Sequence, residues 1–157
     1  SPFKILSEVN KQIFHNIERK YFITILAGML DIDKGIISFC RAGHNPLLYI
    51  KKNEIYTLNS KGIGLGLENG EMFDKYTEEK KLAIEKEDLF LFYSDGITEA
   101  MNSSREEFGE NRLIDCLMKN KNRQPDEIKN IILEEINKFR AGNIQNDDLT
   151  LLIIKKV

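Results

Sequence analysis

The chain has 157 residues, is 41% hydrophobic and carries a formal net charge of −2, a size that suits a globular domain of roughly 100–150 residues with a sizeable core. Its mixed charges supply neither a long-range field to gather a polyanion nor a basic stripe with interleaved aromatics, so no nucleic-acid partner is expected. No apolar run reaches the roughly 20 residues of a membrane helix and the N-terminus lacks the regions of a secretory signal, which points to a cytoplasmic protein.

Phe3, Leu6, Val9, Ile13 and Ile17 recur at three- and four-residue intervals, the stripe of an amphipathic helix, with Ser1 placed to cap it and Pro2 in its first turn. That helix begins at once, without an initiator methionine, so the chain is expected to start inside a longer one. Tyr21 to Leu30 is rich in β-branched and aromatic residues and ends in the turn sequence Asp31 to Gly35, after which Ile36 to Ala42 returns as a hairpin partner. Gly43-His44-Asn45-Pro46 turns again into Leu47 to Ile50, and Lys51-Lys52-Asn53 leads into a short strand, Glu54 to Leu58. Four strands with tight connections predict one antiparallel meander.

The stretch Ser60 to Gly70 reads as a loop despite its glycines, because no strand-glycine-helix arrangement surrounds it to cradle a phosphate. Phe73 to Ile84 alternates loosely. Leu89 to Tyr93 is a continuous apolar run, expected to be buried on both faces, and it stops at Ser94-Asp95-Gly96. Leu113, Ile114, Leu117 and Met118 mark a helix. A second helix opens at Pro125, carries Ile128, Ile131, Ile132, Ile136 and Phe139 on one face, and closes at Gly142; Leu149 to Ile154 is a terminal strand. The pattern predicts one α+β domain of two antiparallel sheets with flanking helices.

Cys40 and Cys116 each lie in an apolar pattern without a second cysteine or a histidine at ligand spacing, so buried, reduced thiols are expected. The residues that can carry chemistry are acidic. Asp95 follows one strongly apolar strand, and Asp147-Asp148 precede another. If those strands are neighbours their carboxylates converge, and two charges about 4 Å apart repel by roughly 4 kcal/mol at an effective dielectric of 20. A cation or a raised pKa would have to offset that repulsion. Carboxylates without cysteine or histidine partners favour hard ions such as magnesium and manganese, and Gly96 lets backbone approach closely. A plain turn at Asp95-Gly96 and a solvated strand start at Asp147-Asp148 explain the same spacing without a metal.

The wording of the motifs adds to this. Phe22-Ile23-Thr24, Ala42-Gly43-His44-Asn45-Pro46-Leu47-Leu48, Gly64-Leu65-Gly66-Leu67, Leu91 to Ala100 around Ser94-Asp95-Gly96, Phe108-Gly109 and Asn146-Asp147-Asp148-Leu149-Thr150 occur in order along the chain. In this it resembles PPM-type (type 2C-like) metal-dependent serine/threonine phosphatases. The resemblance is to the bacterial branch that includes stage II sporulation protein E and the phosphatases of the sigma-factor stress regulators. It implies an α-β-β-α sandwich, incomplete at the N-terminus, with residues 1–157 as the C-terminal portion of the domain. It also implies two Mg2+ or Mn2+ ions, held in part by Asp95 and Asp147, with Asp148 and Gly96 as less direct contributors. Water is the nucleophile, and no protein nucleophile is needed.

The substrate implied is a phosphorylated regulatory protein, an antagonist of an anti-sigma factor, with a sensor or receiver domain upstream and a possible homodimer. The family's Asp-Gly strand-loop, which supplies a bridging aspartate, has no counterpart within Ser1 to Tyr21. The isolated chain is therefore expected to be weak or inactive, and a non-catalytic signalling or docking module is the alternative. His44 could act as a general acid, but its motif with Asn45 and Pro46 favours packing in a turn; His15 is expected to be non-catalytic. Thr98 is expected to shape the loop after Asp95. Glu99 reads as an exposed charge, and Glu106, Glu107 and Glu110 as a solvated face.

Overall fold

A computed structural model describes all residues except Asn146. The chain divides into two compact units, one of residues 1–46 and 58–85, the other of residues 47–57 and 86–157. Two antiparallel sheets with flanking helices place it in the α+β class.

The first unit opens with α1 (Pro2–Asn16), where the Ser1 hydroxyl accepts a hydrogen bond from the Lys4 amide and Pro2 occupies the first turn, as expected. Its apolar stripe puts Leu6 into a core with Cys40, Ala42, Leu65 and Phe73. The sheet has the order β1-β2-β5, from β1 (Ile25–Asp31), β2 (Ile36–Ala42) and β5 (Glu79–Ala83). β1 starts later than the expected Tyr21, because before it only Ile23 pairs, as an isolated bridge with Leu65. The glycine-rich loop is held against α1 by Asn10. This fully buried side chain donates to the Glu68 carbonyl (3.0 Å) and accepts from the Gly66 amide (2.9 Å). Gly66 sits at φ +87°, and a Cβ there would meet Ile17 at 3.0 Å, which accounts for glycine at that point.

Two expectations are corrected in this unit. Phe73, read as part of an alternating stretch, lies in a helix, α2 (Gly70–Tyr76), whose start is set by Asn69 accepting from the Met72 amide (3.0 Å). The four-strand meander also does not form. β2 is paired with β1 along one edge and with β5 along the other, so it has no edge left for the next strand. The turn at Gly43, with φ +69°, carries the chain into the other sheet.

The second unit contains β3 (Leu47–Lys51), β4 (Glu54–Leu58), β6 (Leu89–Tyr93) and β7 (Leu151–Lys155) in the sheet order β4-β3-β6-β7. Its helices are α3 (Asp95–Thr98), α4 (Gly109–Asn120) and α5 (Pro125–Arg140). Ile128, Ile132 and Ile136 of α5 are wholly buried with Leu113 and Leu117 of α4 and Leu89 and Leu91 of β6, as the 3.6-residue period requires. Burial of such side chains contributes about 1.5–3 kcal/mol each. α5 starts on a capping box between Gln124 and Glu127 and ends with Ala141 in the left-handed region. The Lys155 side chain is 5% exposed, yet its ammonium donates to the carbonyls of Lys121 (3.0 Å) and Arg123 (3.3 Å) and pairs with Glu87 (3.2 Å). Burial is tolerated because the charge is fully met. No helix among the described residues is long and apolar enough to cross a membrane.

Candidate metal centre

The question raised by the sequence is whether the strand before Asp95 and the strand after Asp148 are neighbours. They are: β6 and β7 pair antiparallel, with Tyr93 opposite Leu151 and Leu89 opposite Lys155. The pairing continues one step beyond the ladder, where the Ser94 amide donates to the Thr150 carbonyl (3.1 Å). There the Ser94 hydroxyl takes over. It accepts from the Thr150 amide (3.0 Å) and donates to the Asp148 carbonyl (3.0 Å), a clasp across the start of β7. Although Ser94 precedes α3, its side chain makes no capping bond to that helix.

Gly96 is the second element of the clasp. A Cβ built on it would lie 2.4 Å from the Asp148 carbonyl oxygen and 3.1 Å from the Asp148 carbonyl carbon. Only glycine admits this approach, and its reason is space, not an unusual φ. Asp95 stands at the first position of α3, where its Oδ1 accepts from the Gly96 amide (3.0 Å). Its carbonyl accepts from the Thr98 hydroxyl (3.2 Å) and the Glu99 amide (2.8 Å), so Thr98 shapes this loop as expected. Asp147 Oδ1 accepts from the Asp148 amide (2.7 Å). Asp95, Asp147 and Asp148 are all exposed. Asn146, part of the motif read from the sequence, lies outside the described residues.

Among the described residues no three histidine, cysteine, aspartate or glutamate side chains gather into a cluster able to hold a metal. The donors at this end of the sheet are carboxylates and backbone carbonyls, with no thiolate or imidazole in the clasp. Mg2+ is commonly held by one or two carboxylates while it keeps several waters, so the oxygen-only chemistry of these donors is that of a hard-ion site and not of zinc. A cleft of about 100 Å3 opens beside the clasp, lined by Gly96, Glu99, Met101, Arg140, Asp147 and Leu149. Arg140 was not singled out from the sequence; its only signal there is a basic residue in the last turn of a helix ending two residues before Gly142.

The other candidates fall elsewhere. His44 Nδ1 lies 3.3 Å from the Thr24 hydroxyl, and its carbonyl accepts from Arg41 (2.6 Å), contacts that belong to the turn after β2. His15 is an exposed residue of α1 whose ring meets Phe14 edge-on. Glu106 accepts from the Asn102 amide group (2.7 Å) and Glu107 is exposed. Glu110 corrects the reading of a wholly solvated face: it is half-buried and accepts from the Tyr93 hydroxyl (3.0 Å). Burial, then the Glu110 charge, pushes the Tyr93 phenol upward. Both cysteines are free and buried, and burial with the nearby Glu79 charge pushes the Cys40 thiol up to about 11.

Comparison with known proteins gives a consistent family. The family model for stage II sporulation protein E (SpoIIE) matches residues 1–157. The chain is 30% identical over 100 residues to phosphoserine phosphatase RsbU of Bacillus subtilis, covering 62% of this chain and 29% of that protein. The SiaA-PP2C domain of Pseudomonas aeruginosa has the same fold, with TM-score 0.81 at 18% identity over 98% of this chain and 60% of that one. The manganese-presoaked phosphatase domain of the cell fate determinant SpoIIE from Bacillus subtilis aligns with TM-score 0.63 at 18% identity, covering 96% and 73%. The chain spans 15% to 29% of the length of the curated relatives it matches.

Proposed function

We propose, from the premise that this chain belongs to the stage II sporulation protein E family, that it is the part of a protein serine/threonine phosphatase that supplies Asp95 and Asp147 to a Mg2+ or Mn2+ site. The observation that carries the reading is the β6–β7 pairing, which sets the Ser94-Asp95-Gly96 turn against the backbone of Asp148. The similarity to a phosphoserine phosphatase and to a manganese-presoaked phosphatase domain supports the substrate class and the metal.

A hard divalent ion held there would supply charge screening at a phosphoryl group and a more acidic water. The chain's own part is to hold and orient. Asp95 offers a carboxylate from a helical turn braced by Thr98 and Glu99. Asp147 offers one from the segment clasped by Ser94 through its neighbour Asp148. Asp148 acts through this clasp and Gly96 through the room it leaves, so both are positioning residues. The substrate is a phosphoserine or phosphothreonine on a regulatory protein, of the anti-sigma-factor antagonist type. Activity of residues 1–157 alone is weak, because two carboxylates leave an ion loosely held.

The test is calorimetric titration of Mn2+ into the chain and into Asp95→Asn and Asp147→Asn, paired with Mn2+-dependent hydrolysis of a phosphoserine peptide. Each substitution is expected to weaken Mn2+ binding at least tenfold with the unfolding midpoint retained. Equal affinity in all three proteins removes both aspartates from the site.

A further inference from the structure

The segment that delivers Asp147 is held at its far end by the Ser94 clasp on Asp148, and Arg140 holds its near end. After α5 the chain turns through Ala141 at φ +48° and Gly142 at φ +89°, and Ile144 beyond them is 87% exposed. α5 itself is anchored in the core, with Ile128, Ile132 and Ile136 wholly buried. Among the described residues, one side chain, Arg140, joins the helix to this segment by hydrogen bonds. Arg140, the last residue of α5, folds its guanidinium over the turn and donates from Nη2 to the Asn143 carbonyl (2.7 Å) and from Nη1 to the Gln145 side-chain oxygen (3.4 Å). Asn143 in turn reaches the Met101 carbonyl on the segment after α3 (3.5 Å). Arg140, Gln145 and Asp147 line the same small cleft.

We infer that Arg140 is a positioning residue for the metal centre, a planar fork that pins the segment carrying Asp147 to the end of α5. This rests on the reading of Asp95 and Asp147 as ligands. An arginine suits the task because its donors are rigidly spread and reach two acceptors at once, whereas a lysine ammonium reaches them only by flexing a long stem. Groups that orient a metal ligand without touching the ion change affinity by about 10–100-fold when removed. Arg140 also brings a positive charge close to the site, which by itself opposes a cation. A purely electrostatic role would therefore make its loss strengthen binding, opposite in sign to the positioning role.

The experiment compares the chain with Arg140→Ala, Arg140→Lys, Asp95→Asn and Asp147→Asn. Mn2+ affinity is read from paramagnetic broadening of amide resonances on titrating MnCl2, thermal midpoint from circular dichroism, and amide hydrogen exchange in the metal-free proteins. Arg140→Ala is expected to weaken Mn2+ binding about tenfold, with Arg140→Lys recovering only part of it. Faster exchange should be confined to residues around Asn143 to Asp148, with the midpoint of each variant near that of the parent. Unchanged or tighter Mn2+ binding in Arg140→Ala, while Asp95→Asn and Asp147→Asn lose it, overturns the role of Arg140 and leaves the ligand reading standing. Unchanged affinity in the two aspartate variants, or no broadening in the parent chain, sinks the ligand reading and this proposal with it. Exchange that accelerates throughout α5 in Arg140→Ala means that the arginine only stabilises the helix end, and also overturns the proposal.

Discussion

Substituting Gly96 by alanine tests the packing on which the proposed metal site depends. The added methyl would sit 2.4 Å from the Asp148 carbonyl oxygen, where real Cβ atoms keep at least 3.0 Å. One backbone must therefore retreat by roughly 0.6 Å, and the obstacle is a carbonyl already held by the Ser94 hydroxyl. Overpacking of this kind costs about 1–3 kcal/mol. The displacement falls on the residue next to Asp147, so Mn2+ affinity should drop about tenfold or more, the range for a shifted ligand. Gly70→Ala is the control, because the nearest atoms its methyl would meet belong to the flexible Lys11 side chain, at 3.1 Å and beyond. Urea unfolding gives the stability term and Mn2+ titration the affinity term. If Gly96→Ala matched the parent within about 0.5 kcal/mol and bound Mn2+ equally well, the close approach would have no energetic meaning and the reasoning would fail.

Ser94→Ala removes a hydroxyl that both accepts from Thr150 and donates to Asp148; a loss of about 1 kcal/mol is expected in urea unfolding, together with weaker Mn2+ binding, both largely restored in Ser94→Thr. Lys155→Met leaves the Lys121 and Arg123 carbonyls and Glu87 without their shared cation, and should cost about 1–3 kcal/mol in the same assay. Glu79 provides the pH test. Burial pushes its carboxyl up, but hydrogen bonds from the Ser1 hydroxyl, the Phe3 amide and Lys81 outweigh that and leave it below the usual glutamate value. A depressed folded value contributes stability above the ordinary glutamate range and loses it as pH falls through the folded value. Glu79→Gln should thus be less stable than the parent by about 1 kcal/mol at neutral pH, with the gap closing on acidification; a constant gap across that range refutes the assignment.

The legible parts of this protein share a physical cause. β2, β4 and β6 begin and end where the apolar and turn residues place them, because a period of two or an unbroken run such as Leu89 to Tyr93 states a strand locally. α2 leaves no signal in the sequence, because one buried residue, Phe73, makes no period in so short a helix. The route of β3 is not legible in the sequence, because a turn such as Gly43 to Pro46 states that the chain reverses, not which strand edge receives it.

At the centre the same division holds. Residue type and motif order alone singled out Asp95, Gly96, Asp147 and Asp148, since acidic groups at the ends of oily strands, with glycine beside them, form a local pattern. Tertiary structure alone decided that β6 and β7 are partners, that the Ser94 hydroxyl bridges Asp148 and Thr150, and that Arg140 reaches across the end of α5. Those contacts join residues up to 66 positions apart in sequence, as Leu89 and Lys155 are. No local periodicity encodes them, because they follow from which strand edges remain unpaired once the core has closed.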